Sequence, residues 1–198
     1  MLSVEGVLAS KKRYGKYVFL NAYALTDAER AGLLKLTREP GVKSVWIMAP
    51  GSIVASGFSD AAMSELVGMK LTGAGMDPKV VSADGDATPL ALEGGGWKKS
   101  LGNGTWSYFL PALPHHADVC AALMAELGEH RYVEHGRYVR RHGDYLMLHV
   151  GEAGAHRVIL PAKESGRQMT ELFSCASFGP GEAVVTSDGP ATWMFRID

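Results

Sequence analysis

The sequence predicts an α/β protein, a three-layer sandwich with a mostly parallel sheet, followed by a small antiparallel β unit. The first observation is the length, because 198 residues suit one domain of about 150 residues with a modest appendage. The second is an alternation of strand-like and helix-like patterns up to residue 135, and the third is a change to short strand-like runs after Tyr138. We therefore expect one domain at 1–135 and a small β domain at 136–198.

Four successive segments carry the α/β prediction. Residues 17–21 and 42–48 are apolar, β-branched and aromatic runs typical of strands that are buried on both faces. Thr26 opens a capping-box pattern (TDAE) for a first helix, and Ser59 offers an N-cap for a second helix that Gly68 ends. Because the connections are short, this strand–helix–strand–helix order predicts a flavodoxin-like or Rossmann-like parallel sheet.

The remainder of the first domain adds two strands and one helix to the prediction. Residues 79–82 and 105–110 are strand-like, and the glycine-rich stretch between them, 83–104, is predicted to be a loop. Residues 116–127 carry the apolar stripe of a helix. The predicted core includes Trp46, Leu66, Cys120 and Leu123.

The pattern after Tyr138 is typical of antiparallel β-structure. Short apolar runs are separated by glycine or proline turns, which is how strands joined by tight turns are recognised. These runs are 145–150, 157–160, 168–173 and 192–197.

Charge and composition narrow the classes of partner. With 20 Lys plus Arg against 21 Asp plus Glu, the chain offers no electrostatic reason to expect nucleic acid or a membrane surface as a partner. Apolar runs are far shorter than the ~20 residues of a membrane span, and residues 1–16 contain no signal-peptide core, so a soluble protein is expected, with its compartment not indicated. Cys120 and Cys175 lie too far apart to suggest a zinc or disulfide motif.

A candidate pocket is expected at the carboxyl ends of the parallel strands, where such sheets bind ligands. The predicted rim contains Asn21, Ser52 and His115, together with Trp106, which flanks the glycine-rich loop. The Trp106 ring could stack on a sugar, but a packing role is the default expectation for it. No G-x-S-x-G elbow, phosphate-binding loop or metal-ligand spacing accompanies these residues. We therefore assign no catalytic, cofactor-binding or metal-binding residue from the sequence.

Several segments together resemble the non-catalytic C-terminal region of bacterial glycoside hydrolases related to the family 42 beta-galactosidases. In those enzymes a Rossmann-like domain of the beta-galactosidase trimerisation type follows the catalytic barrel and precedes a small β domain. The resembling segments, in family order, are YVFLNAY at 17–23, VWIMAPG at 45–51, MSELVG at 63–68, TWS at 105–107, GEHRY at 128–132, LMLHV at 146–150, VILP at 158–161 and ELFS at 171–174.

The resemblance implies an assembly or accessory domain in carbohydrate metabolism. Its expected partners are a second copy of the chain or a glycoside hydrolase catalytic domain, with carbohydrate as a ligand. The barrel that carries the family's catalytic carboxylates is missing from this chain, so the resemblance supplies no catalytic residue. The alternative hypothesis is a small stand-alone flavodoxin-like enzyme or ligand-binding protein that uses the predicted pocket.

Overall fold

A computed structural model describes residues 3–72, 82–85, 87–133 and 138–198. Internal packing divides the chain into two compact units, Met1–Val119 (unit 1) and Cys120–Asp198 (unit 2). Each unit is defined by the contacts that its residues make with one another. The domain boundary expected after residue 135 stays a prediction.

Unit 1 combines helices with short strands. Its elements in chain order are α1 (Val4–Ala9), β1 (Lys16–Phe19), α2 (Asp27–Thr37), β2 (Lys43–Ile47), β3 (Ile53–Val54), β4 (Gly57–Phe58), α3 (Asp60–Val67), β5 (Lys70–Thr72), β6 (Ser82–Asp84), β7 (Thr88–Pro89), β8 (Trp97–Gly102) and β9 (Thr105–Leu110). A fourth helix, α4 (Ala117–Glu126), crosses from unit 1 into unit 2. Of the strand predicted at 79–82, residues 79–81 lie outside the described residues, and Ser82 begins β6.

The main sheet of unit 1 is mixed rather than parallel. Its strand order is β1-β2-β9-β8-β7. β2 pairs in parallel with both β1 and β9, whereas β8 runs antiparallel to β9 and to β7. Two separate strand pairs, β3–β4 and β5–β6, are also antiparallel. The strand order places β1 at one edge of the sheet.

The helix boundaries in unit 1 follow local capping chemistry. Thr26 caps α2 by accepting a hydrogen bond from the Glu29 amide, and the Glu29 carboxylate accepts one from the Thr26 amide in return. Ser59 accepts from the Ala62 amide at the start of α3, and Gly68 ends that helix with φ of 80°. These predicted helix starts are confirmed.

Helix α1 was not predicted from the sequence. It is only six residues long and none of them is fully buried, so its apolar pattern is too short to identify. It packs on α2 where Gly32 leaves room, because a Cβ on Gly32 would lie 2.8 Å from the Leu8 Cδ1 atom.

The core of unit 1 lies between one face of the sheet and helices α2 and α3. Phe19, Trp46 and Phe109 occupy one row of the pairing register, and the Phe19 and Trp46 rings stack with centroids 4.3 Å apart. Trp46 and Leu66 are completely buried and Leu123 nearly so, which confirms them as core residues. The prediction for Cys120 is wrong, because that side chain is only half-buried.

Arg30 of α2, and Arg38, the C-cap residue that follows α2, hold α3 by its backbone. Arg30 donates to the carbonyl oxygens of Ala62, at 2.8 Å, and Gly51, at 2.6 Å. Arg38, eight residues after Arg30, donates to the Leu66 carbonyl near the end of α3. The carbonyls at the end of a helix lack intrahelical partners, so Arg38 satisfies one of them.

Unit 2 is built from antiparallel strands. After α4, its elements are β10 (Tyr138–His142), β11 (Tyr145–Val150), β12 (Gly154–Ile159), a 3₁₀ helix (Ala162–Glu164), β13 (Met169–Glu171), β14 (Ser177–Phe178), β15 (Glu182–Ser187) and β16 (Ala191–Ile197). Five strands form one sheet in the order β10-β11-β16-β13-β14, and β12 pairs with β15. Both sheets contribute to one core, which includes Leu146, Val158, Val185 and Phe195.

The predicted fold class is wrong. Of the described residues, 37% are in strands and 21% in helices. Among the described strands of the two larger sheets, only β1–β2 and β2–β9 pair in parallel. The error arises mainly in the glycine-rich stretch, where β8 and β9 form a hairpin instead of a loop and a strand. Asn103 (φ 51°) and Gly104 (φ 74°) provide the two positive φ angles of a tight two-residue turn.

Replacing Trp46 tests the central position of its side chain. We expect Trp46→Ala to lower the free energy of unfolding of unit 1 by about 3–5 kcal/mol, because it leaves a large cavity under two helices. The Trp46 Nε1 atom is buried without a hydrogen-bond partner among the described residues, so Trp46→Phe forfeits no hydrogen bond and should cost much less. Chemical denaturation of both variants measures the difference, and equal losses would contradict this placement.

Candidate functional site

The carboxyl ends of β1, β2 and β9 share one edge of the sheet, as the parallel pairing requires. Between β1 and β2 this edge is closed by backbone hydrogen bonds. The Gly51 amide donates to the Ala22 carbonyl at 2.6 Å, and the Ile53 amide donates to the Tyr23 carbonyl at 3.1 Å. The crevice in which a parallel sheet binds a ligand is therefore closed between these two strands.

A larger cavity, of about 320 Å³, lies beside the outer edge of β1. Mostly apolar side chains line it, including Val4 and Val7 of α1, Tyr14 and Val18. Asn21 adds a polar group at the end of the strand. The cavity therefore runs along a strand edge rather than across strand ends.

A smaller cavity, of about 150 Å³, lies at the carboxyl end of β9. Its lining includes Glu93, Leu110, His115 and His116. The two imidazole rings are 4.2 Å apart between centroids, and the His115 Nδ1 atom lies 3.2 Å from the Leu113 carbonyl oxygen.

The four predicted rim residues do not come together in one place. Asn21 lines the cavity beside β1, and His115 lines the one after β9. Ser52 lines neither cavity, since it is fully buried and its hydroxyl donates to the Ala49 carbonyl at 2.8 Å. Trp106 pairs in register with Lys43, at the amino end of β9, about 13 Å along the strand from Leu110.

The free edge of β1 is a feature that the sequence analysis missed. The Lys43 amide donates to the Gly15 carbonyl, and backbone groups alternate along a strand, so Tyr17 and Phe19 bond toward β2 while the amide and carbonyl of Val18 point outward. Within the described ranges, no backbone hydrogen bond is made by Val18 on that outer side. The free edge can be recognised only from the strand order of the sheet, and a single sequence does not determine that order.

The groups with shifted pKa values serve structural contacts. They are Glu29, Arg38, Arg141, Glu171, Glu182, Arg196 and Asp198, and none of them lines either cavity. Burial lowers the pKa of Arg38, whose guanidinium bonds the end of α3. These pKa shifts therefore do not identify a thiol, imidazole or carboxylate in a cavity that is adjusted for catalysis.

Glu171 is the most deeply buried of the shifted carboxylates and organises a turn in unit 2. It is 3% exposed, and its Oε2 atom accepts hydrogen bonds from the Ser174 amide, the Ser174 hydroxyl and the Phe173 amide at 2.6, 2.7 and 3.1 Å. Burial alone would raise the pKa of Glu171, but the bonds from Ser174, Phe173 and Met194 outweigh it, so the pKa lies below its ordinary value.

In the described ranges, no three His, Cys, Asp or Glu side chains converge as a metal site, and no described helix is both long and apolar enough to cross a membrane. Compared with known proteins, the chain matches no family model and no curated protein. The resemblance to family 42 enzymes consequently rests on the quoted segments.

Glu171 predicts a specific dependence of stability on pH. The pKa of Glu171 is lower in the folded chain than in the unfolded chain, so its ionised form stabilises unit 2 at pH values above its ordinary pKa of 4.5. This stabilisation is lost as the pH falls through the pKa of the folded chain. We expect Glu171→Gln to be destabilising at pH 7 and much less so near pH 3, as measured by thermal unfolding.

The matched control is Glu182→Gln, which removes an exposed ion pair with Arg157. Exposed pairs contribute less than buried hydrogen-bonded carboxylates, so this variant should be destabilised much less at pH 7 than Glu171→Gln. An equal loss for Glu171→Gln at both pH values would contradict the assigned role of its charge.

Proposed function

We propose that this chain is an assembly module that associates with a second copy of itself through the edge of β1. The observation that carries the proposal is the outward-facing amide and carbonyl of Val18 beside an apolar cavity. An unpaired strand edge is a template for adding another strand. Strand addition uses main-chain hydrogen bonds for affinity and neighbouring pockets for side-chain contacts.

Antiparallel pairing of two β1 edges gives a closed, two-fold symmetric contact. If the axis passes beside Val18, the amide of each Val18 bonds the carbonyl of the other, so one residue type satisfies both donors and both acceptors. The Val18 side chain is 44% exposed, and pairing would bury it against its symmetry mate. Such a contact closes after two copies and does not propagate into fibres.

The charges near β1 are compatible with this arrangement. Lys11, Lys12 and Arg13 are exposed before the strand, and the antiparallel arrangement carries the two basic segments toward opposite ends of the joined strands. Repulsion between exposed charges is screened over about 8 Å at physiological salt. The near-neutral total charge of −1 adds no long-range repulsion between copies.

The resemblance of sequence segments to the C-terminal region of family 42 glycoside hydrolases points to the same role, although the mixed sheet of unit 1 is not the Rossmann-like fold that the resemblance implies. Within that proposal, the module belongs to carbohydrate metabolism and associates either with itself or with a glycoside hydrolase catalytic domain. The self-complementary geometry of the β1 edge favours a second copy as the partner.

Val18→Lys tests the proposed interface directly. In the symmetric pair it would place two ammonium groups opposite each other, which is destabilising, whereas a lysine on an exposed strand edge is well tolerated by the monomer. We expect the original chain to be a dimer by light scattering at micromolar concentration and the variant to be a monomer.

Val184→Lys is the control, because Val184 is a strand valine of similar exposure, 50%, in unit 2. This variant should remain a dimer. A monomeric original chain, or two variants with equal effects on mass, would contradict the proposal.

The competing hypothesis is a ligand-binding protein or enzyme that uses the cavity after β9, which is favoured by His115, His116 and Glu93 in its lining. For an assembly module, we expect the purified chain not to hydrolyse aryl galactosides or aryl glucosides. A catalytic function would replace the assembly proposal if the chain hydrolysed these substrates and the activity disappeared in Glu93→Gln or His115→Ala. The same activity would have to persist in Val184→Lys.

A further inference from the structure

The outward face of the larger sheet in unit 2 carries aromatic and basic side chains in register. Strand residues alternate between the two faces, and Leu146, Leu148 and Phe195 point into the core. Their neighbours on the strands β10, β11 and β16 therefore form the opposite face. We name this surface the β10–β16 face and define it by Tyr138, Arg140, Tyr145, Met147, Met194 and Arg196.

Two tyrosine rings mark the ends of this face. Tyr138 is 57% exposed and Tyr145 is 50% exposed. Tyr138 pairs with His149, four residues from Tyr145 on the same strand, so the two rings lie about 13 Å apart along the strand direction. Met147 and Met194 pair with each other between them and are half-buried.

The electrostatic character of the face is basic. Arg140 is exposed, and its cross-strand neighbours are Met147 directly opposite and Tyr145 and His149 on the diagonals. None of these neighbours is acidic. Arg196 is paired with Asp198, with 2.6 Å between Nε and Oδ1. Among the described residues of this face, Arg140 is therefore the central positive charge without an acidic partner, and it favours an anionic ligand.

Isolated rings separated by polar groups suit a sugar better than a protein surface. A protein interface needs a contiguous apolar core. Between the two rings here, Met147 and Met194 are half-buried, and the exposed groups are the polar side chains of Arg140, His149 and Thr192. The Thr192 hydroxyl lies 2.8 Å from His149 Nδ1. The negative face of a tyrosine ring attracts polarised C–H groups, and sugar rings present such groups alternately with hydroxyls.

We propose that the β10–β16 face binds an anionic oligosaccharide, with Tyr138 and Tyr145 stacking on sugar rings and Arg140 pairing with a carboxylate between them. The separation of the rings requires a ligand of several sugar units rather than a monosaccharide. Guanidinium groups suit carboxylates because two N–H donors can bond both oxygens. This proposal is independent of the association of β1.

Isothermal titration of the full chain with oligogalacturonate, and with a neutral cello-oligosaccharide of the same length, tests the proposal. We expect the uronate to bind at least about tenfold more tightly than the neutral sugar. Tyr145→Ala should weaken uronate binding about tenfold, and Arg140→Ala should remove most of the preference for the uronate and most of its salt dependence.

Val184→Ala, which truncates an exposed strand residue on the other sheet of unit 2, serves as the control and should bind as the original chain does. Thermal unfolding of each variant identifies losses caused by misfolding, and Tyr145→Phe, which keeps the ring, should retain binding. Three results of the titration would overturn the proposal: equal affinity for both sugars, no binding of either sugar, or unchanged binding by Tyr145→Ala. An acidic peptide that displaces the uronate at equal concentration would also overturn it.

Discussion

The row formed by Phe19, Trp46 and Phe109 is the constraint on which the rest of unit 1 depends. These three residues occupy equivalent register positions on β1, β2 and β9, and Trp46 is completely buried on the central strand of the three. A slip of one residue would turn every side chain of a strand to the opposite face. The aromatic row therefore fixes the register of the parallel strands, and with it the surface on which α2 and α3 pack.

That register also determines what is left exposed. Because Tyr17 and Phe19 must point toward the helices, Val18 points to the opposite face at 44% exposure, and its backbone groups point away from β2. The chain keeps this edge short, with four strand residues, and places basic residues before it, as is common where an edge must avoid unspecific pairing. A short edge with one symmetric hydrogen-bonding residue suits a specific, closed contact better than open-ended aggregation.

The sequence predicted local structure better than it predicted topology. Thr26 and Ser59 identified the starts of α2 and α3 because capping depends on neighbouring residues alone. The fold class failed because it depends on which strands pair. Asn103-Gly104 was a local hairpin signal within a stretch interpreted as a loop, and recognising it would have joined β8 to β9. The free edge of β1, in contrast, follows from a strand order that no local pattern contains. Ser52 and Trp106 show the same limit, because Ser52 is buried in a turn and Trp106 lies near the amino end of β9, away from the predicted rim.

The two proposed surfaces differ in the kind of recognition that each can support. The β1 edge offers main-chain groups, which recognise an extended strand with little regard to its sequence, so selectivity there must come from symmetry and from the adjoining cavity. The β10–β16 face offers only side chains, since the backbone of β11 and β16 is already paired on both sides, so selectivity there must come from ring spacing and charge. A dimer formed through β1 would carry two such faces. Where a polymeric ligand can span both faces, the second contact becomes intramolecular, and the overall affinity rises by a factor of up to about 10²–10⁴. Weak binding at each face would then be sufficient for firm attachment, so the two proposed surfaces would reinforce each other.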